Sequence, residues 1–117
     1  MWLLTLHEDN LLRLWNTDDG RCIIVSHPGM LVTKVKSIVD IKGFPGVVGL
    51  VGVAGDVYIV NTYTMQMLNH LSIEFQGVHK ITFREADNSF VLCDESGKIV
   101  VCKDANHINN NRKKMSD

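Results

Sequence analysis

The stretch Trp2-Leu3-Leu4-Thr5-Leu6-His7-Glu8-Asp9-Asn10-Leu11-Leu12-Arg13-Leu14-Trp15-Asn16 decides the fold. It is an apolar run, a tight polar turn at Asp9-Asn10, and a second apolar run that ends in a polar residue. The same grammar returns twice. Val48 to Val53 leads through Ala54-Gly55 into Asp56-Val57-Tyr58-Ile59-Val60-Asn61, and Ser89 to Glu95 leads through Ser96-Gly97 into Lys98-Ile99-Val100-Val101-Cys102-Lys103. Each turn carries Asn or Gly where a positive φ is needed, as two-residue hairpin turns require. Aligned on the turns, Leu12, Val57 and Ile99 share one position, and Trp15, Val60 and Cys102 share another. The spacings are 45 and then 42 residues. A period of about 40–45 residues with paired strands indicates a repeat built from four-stranded antiparallel sheets.

Further strands fill the intervals. Arg21–Ser26 reads as an outer strand, Leu31–Ile41 and His79–Arg84 alternate apolar and polar residues, and Met65–Ser72 reads as a second outer strand. Ten strands result. The rival for the N-terminus is an amphipathic helix over residues 2–16, because Leu4, Leu11, Leu12 and Trp15 also fall at helical spacing. Asp9-Asn10 in its middle favour a turn instead. A two-residue turn at Ser96-Gly97 sets Cys93 opposite Val100 and Cys102 opposite Val91. That makes the two cysteines diagonal neighbours on one face, beyond the usual reach of a disulfide.

Asp9-Asn10-Leu11-Leu12-Arg13-Leu14-Trp15-Asn16 resembles the signature of the WD-repeat β-propeller family, with Asn16 where the final Asp usually stands. Thr17–Cys22 resembles the turn into a blade's outer strand. The later segments depart from the signature: its Trp becomes Val60 and Cys102, and its final Asp becomes Asn61 and Lys103. The resemblance implies an all-β fold, a partial β-propeller of WD-repeat type with four-stranded antiparallel blades. A small β-sandwich or barrel is the alternative. Residues 1–103 then hold blade remnants at 1–26, 31–72 and 79–103, and 104–117 form a polar tail or linker. Family blades are often locked by a Trp–Ser/Thr–His–Asp hydrogen-bond network. Thr5, Asp9 and Trp15 occupy three of its positions, and the His would lie upstream of Met1. His79 stands near the corresponding place in the third segment, without Trp and Asp partners. A finer resemblance links Asn16–Cys22 and Gly55–Asn61 to consecutive blades of the rabconnectin beta-type WD-repeat proteins, which act in vesicle traffic and proton-pump regulation on endomembranes.

Composition narrows the function classes. With 45% apolar and 21% charged residues, the chain is a globular one rather than a disordered one. Twelve Lys+Arg against 13 Asp+Glu give a formal net charge of −1, which leaves no basic footprint for nucleic acid. Lys34, Lys36 and the tail cluster Arg112-Lys113-Lys114 are the only gathered cations. The opening residues lack a signal peptide's basic start and cleavage site. The glycine-broken run 46–55 is too short to span a bilayer. Cys22, Cys93 and Cys102 form no CxxC pair, and the five histidines form no HxxxH or HExxH, so no metal site is expected. An odd cysteine count suits a reducing, cytoplasmic compartment, peripheral on endomembranes if the finer resemblance holds.

The carboxylate pairs Asp18-Asp19 and Asp94-Glu95 are sequence neighbours whose side chains diverge, unlike an acid/base couple. The recurring glycines of 43–55 precede a strand rather than a helix, so they suit close backbone packing and not a phosphate cradle. No catalytic or cofactor-binding residue is assigned. The resemblance implies a non-enzymatic scaffold for other proteins, with loop residues Phe44, Pro45, Tyr63 and Phe75 as candidate contacts. A nucleic-acid-associated WD-repeat subunit and a self-contained small β domain are the alternatives. The ordering starts with a blade's second strand and ends with its third, so the open strand edges are expected to be completed by further residues, by a partner protein or by self-association.

Overall fold

The computed structural model describes residues 1–72 and 75–102. The chain forms β1 (Trp2–Leu6), β2 (Leu12–Asn16), β3 (Cys22–Val25), β4 (Val35–Lys42), β5 (Val47–Gly52), β6 (Val57–Asn61), β7 (Gln66–Leu71), β8 (Val78–Arg84), β9 (Ser89–Asp94) and β10 (Ile99–Cys102). Residues 2–16 are a hairpin and not a helix. Asn10, at φ 63°, reverses the chain in the left-handed region, where Asn is among the best-tolerated non-glycine residues.

Three antiparallel meanders follow one another: β1-β2-β3, β4-β5-β6-β7 and β8-β9-β10. The last two are joined into one seven-stranded sheet because their first strands pair in parallel, Ile41 opposite Ile81 and Lys42 opposite Thr82. That inter-meander pairing is absent from the sequence pattern, which separates the four-stranded units.

The hairpin registers correct the two-residue turns. Leu6 faces Leu12, Val51 faces Val57, and Cys93 faces Ile99. Each loop therefore has one residue more than the pattern suggests. The cause is common to all three: Asn10 (φ 63°), Gly55 (φ 89°) and Gly97 (φ 87°) each close a longer loop from the left-handed region. Three-residue hairpin loops take that form. A one-residue slip exchanges the cross-strand partners. Cys93 thus faces Ile99 while Cys102 faces Phe90, placing the two thiols on opposite faces rather than on one. All three cysteines are free.

Strand irregularities also repeat. The register shifts between Val35 and Ser37 in β4 and between Val78 and Lys80 in β8, at equivalent places in successive meanders. A second pair of shifts falls between Leu14 and Trp15 and between Ile59 and Val60. Such bulges bend a strand and re-aim its side chains. They occur at matching positions, so they belong to the repeat. Residues 31–34, read from the sequence as the start of a strand, form the crossover instead.

The middle meander is packed on both faces, which is why Val57-Tyr58-Ile59-Val60 is apolar without alternation. One core lies between the first and middle meanders and includes Leu12, Leu14, Val35, Leu50, Tyr58 and Val60. The other lies between the middle and last meanders and includes Ile41, Val51, Val57, Ile59, Ile81, Phe90 and Leu92. A side chain at Gly49 would overlap the Ile81 Cδ1 methyl, so glycine lets the middle and last meanders approach there.

Candidate functional site

Up-and-down connections put the loops at two ends. One end holds the turns β1–β2, β5–β6 and β9–β10 together with the crossover 26–34 and residues 75–77 of the next one. The other holds the turns near residues 17–21, 43–46, 62–65 and 85–88.

At the first end the crossovers are clamped between turns. Asn10 Nδ2 donates to the Leu31 and Thr33 carbonyls at 3.2 and 2.9 Å, and its Oδ1 accepts from Val35 N–H at 2.9 Å. These bonds occupy the backbone groups that would have continued β4 upstream. The next crossover is tied by Phe75 N–H to the Gly55 carbonyl and by Gln76 N–H to Asp94 Oδ2, both at 3.0 Å. Asp94 also accepts from Ser96 N–H, Ser96 Oγ and Lys98 N–H. The bonds from Gln76 and Ser96 are the leading cause of a carboxyl lowered to about 2.

The centre of this end is a cluster of Thr33, Asp56, Tyr58 and His70. Thr33 Oγ1 and His70 Nε2 both meet Asp56 Oδ2, at 2.8 and 2.7 Å. Thr33 N–H donates to the Tyr58 hydroxyl at 2.9 Å. Since the single Thr33 hydroxyl proton goes to the acceptor-only carboxylate, the Tyr58 hydroxyl is the donor across its 2.7 Å contact with Thr33 Oγ1. The His70 ring stacks on Tyr58 with centroids 4.1 Å apart and planes 7° from parallel. Burial pushes the Asp56 carboxyl up, but the bonds from His70 and Thr33 outweigh it and hold the carboxyl below its ordinary value. Asp56 is therefore ionised at neutral pH, and His70 Nε2 carries the proton in this contact. Asp56 Oδ1 is buried without a partner, tucked over Gly52, where a side chain would overlap it.

This cluster holds Thr, His and Asp but in an order unlike a nucleophilic triad. The histidine and the hydroxyl both end on the same carboxylate oxygen, so the histidine does not reach the hydroxyl as a base. The arrangement clasps a crossover (Thr33), a turn (Asp56), an inner-packed strand (β6) and an edge strand (β7). Sequence reasoning missed it, because Thr33, Asp56 and His70 lie 14 to 37 residues apart on separate elements and match no signature.

The first meander has a related but smaller set. Trp15 Nε1 donates to Thr5 Oγ1 at 2.8 Å, and Thr5 Oγ1 lies 2.6 Å from His7 Nε2. Asp9, the third residue proposed for this network, does not join it. Its carboxylate accepts from Leu11 N–H and Arg13 instead, at 3.1 and 2.8 Å to the nearer atoms. The Arg13 guanidinium holds that carboxyl below its ordinary value. The reason is geometric: the longer loop turns Asp9 outward, and Arg13 reaches it from four residues on. The histidine that meets Thr5 is His7, just after β1.

The candidate contact loops divide. Tyr63 is half-exposed and meets the half-exposed Trp2 edge-on, centroids 5.2 Å apart. Beside them an open groove of about 450 Å³ is lined by Met1, Trp2, Leu4, Leu14, Val48 and Tyr63, among others. Pro45 is exposed. Phe44 is half-buried, stacked at 5.9 Å on Phe90 and tilted against Phe83 at 4.6 Å. Phe75 is corrected outright. It is buried in the core between middle and last meanders because its N–H is tied to Gly55 and its ring turns inward under Lys98. Glu74, Lys103 and the tail cluster Arg112-Lys113-Lys114 lie outside the described residues. Among the described residues no group of three His, Cys, Asp or Glu side chains is placed to hold a metal ion. No helix there is long and apolar enough to cross a membrane.

No family model matches the chain, and no curated protein matches its sequence. Solved structures do. BamB from Moraxella catarrhalis superimposes with a TM-score of 0.54 and 16% identity, covering 87% of this chain and 31% of that one. Sqt1 from Saccharomyces cerevisiae superimposes with a TM-score of 0.50 and 17% identity, covering 86% and 34%. The chain thus spans about a third of the length of either structure. Both are β-propellers, and at these identities the likeness is one of fold: this chain is built as part of a β-propeller, its three meanders standing as successive blades.

Proposed function

We propose that the chain is a non-enzymatic scaffold that binds another protein at the loop end carrying Trp2 and Tyr63. The observation that supports this is the pair of half-exposed aromatic rings over an open groove, held by sheets whose other end is clasped by buried hydrogen bonds. Aromatic anchors on a rigid frame lose little side-chain freedom on binding and dominate interface energies. The WD-repeat type and the cytoplasmic, endomembrane-peripheral setting with its roles in traffic or proton-pump regulation are part of the proposal. They rest on the sequence resemblances of Asp9–Asn16, Asn16–Cys22 and Gly55–Asn61 and on the odd cysteine count.

A photo-crosslinking residue at position 63 should capture a defined protein that one at Asp18, on the neighbouring loop, does not. Trp2→Ala should abolish that capture. Equal capture from both positions would remove the case for this surface. The nucleic-acid alternative gains if the chain binds DNA or RNA with a steep salt dependence.

A further inference from the structure

We infer that two copies of this chain associate head to tail, the last blade of each packing its open face on the first blade of the other. The inference comes from comparing the same positions in three successive blades, independently of the scaffold reading. Leu12 and Leu14 of β2 point at the middle blade and are buried. Their equivalents Val57 and Ile59 of β6 point at the last blade and are buried too. The third members of the series, Ile99 and Val101 of β10, are 65% and 41% exposed. Around them on the same face stand Val91 and Cys93, which face Val101 and Ile99 across the strand pair, with Thr82 opposite Val91 and Lys80 opposite Cys93. A sheet face that carries Ile99, Val101 and Val91 side by side is normally covered. Within this chain both surfaces of the same class are covered, each by the opposite face of the following blade.

That opposite face is also free once. Val48 and Val60 of the middle blade lie against the first blade's side, and Phe90 and Cys102 of the last blade lie against the middle blade. Their equivalents in the first blade are Leu3, 52% exposed, and its cross-strand partner Trp15. Among the described residues there is therefore one free member of each of the two face types that pair inside the chain. A second copy supplies both complements at once. Head-to-tail contacts make closed rings where the rotation closes. Two sets of three blades make six, inside the range of about four to eight found in propellers. Each copy's Ile99/Val101 face then meets the other's Leu3/Trp15 face, giving two identical contacts about a two-fold axis.

Sedimentation velocity of the 117-residue chain at about 50 μM tests this, with concentration chosen for a micromolar association. The expected mass is twice that of one chain. Ile99→Asp and Leu3→Asp each sit on an exposed position and should halve the mass while leaving the far-UV circular dichroism unchanged. Mixing the two variants restores one intact contact, Leu3/Trp15 of the first against Ile99/Val101 of the second, and should return a dimer. A monomeric wild type overturns the inference. So does a dimer that survives either substitution, or a mixture that stays monomeric. Tyr63→Ala should leave the dimer intact, which separates this contact from the proposed partner site.

Discussion

The first and middle blades carry comparable polar side chains, yet they use them oppositely. In the middle blade a carboxylate, Asp56, is buried at the meeting point of crossover, turn and two strands, and it collects Thr33 and His70 on one oxygen. In the first blade the carboxylate nearest the turn, Asp9, faces outward to Arg13, and the inward bond is the neutral one from Trp15 to Thr5. A buried carboxylate that gathers several donors leaves them unsatisfied when it is removed, whereas exposed pairs contribute little. The comparison teaches that position relative to the cores, more than residue type, decides which acid holds a blade together.

The largest effect should come from breaking the middle clasp. Asp56→Ala leaves the Thr33 hydroxyl and His70 without their shared acceptor and should cost about 3 kcal/mol. Urea denaturation at pH 7 measures it. The sign with pH follows from the lowered carboxyl. Its contribution is complete above the ordinary Asp value and disappears as pH falls through the lower folded value. The gap between wild type and variant should therefore close in acid. A gap that widens in acid would reassign the stability to some other group.

Next in size is Gly52→Ala. The new methyl would overlap Asp56 Oδ1 and press on Thr33 Oγ1, so the clasp must open or shift. Overpacking of this kind should cost about 2 kcal/mol. If the two effects share a cause, the double variant Gly52→Ala with Asp56→Ala should be no worse than Asp56→Ala alone, a non-additivity a double-mutant cycle reads directly.

Much of the frame was legible in the sequence, and the reasons lie in particular residues. Ten strands and their repeat followed from apolar runs punctuated by Asn10, Gly55 and Gly97, because turn chemistry is local. Loop length was not local in the same way. One extra residue ahead of each left-handed position leaves the composition of the turn unchanged while slipping every cross-strand pair by one. Phe75 reads as a loop aromatic because the pattern around it is irregular, and only the Gly55 hydrogen bond turns it inward. The Asp56 clasp was illegible for a deeper reason. Tyr58 and His70 face each other across β6–β7, but Thr33 joins Asp56 and Tyr58 only after the crossover folds over the β5–β6 turn, and no spacing within one element records that event. One signal was present: Asp56 follows a left-handed glycine and precedes four consecutive apolar residues, an unusual place for an acid that is merely solvated.

A smaller effect is expected in the first blade. Trp15→Phe keeps most of the ring but removes the Nε1 donor, leaving Thr5 with His7 and costing about 1 kcal/mol. The loss should be visible as a lower urea midpoint with an unchanged slope. His7→Gln should be milder than Trp15→Phe, since the Thr5–Trp15 bond survives it.

The smallest effect belongs to Asp9, and it is the sharpest check on the comparison. Asp9→Asn removes the charge that pairs with Arg13 but keeps an oxygen able to accept the Leu11 N–H, so the turn itself is preserved. Both partners of the pair reach solvent, where ions screen them and water replaces the lost contact. The urea midpoint should move no more than for an ordinary surface substitution, and whatever shift appears at low salt should vanish at about 0.5 M, where screening shortens to a few ångströms. Asp56→Ala should keep nearly all of its effect at the same salt, because its partners are held inside the protein. A salt-resistant loss in Asp9→Asn as large as that of Asp56→Ala would mean that the outward acid also holds its blade, and that burial is not what separates the two.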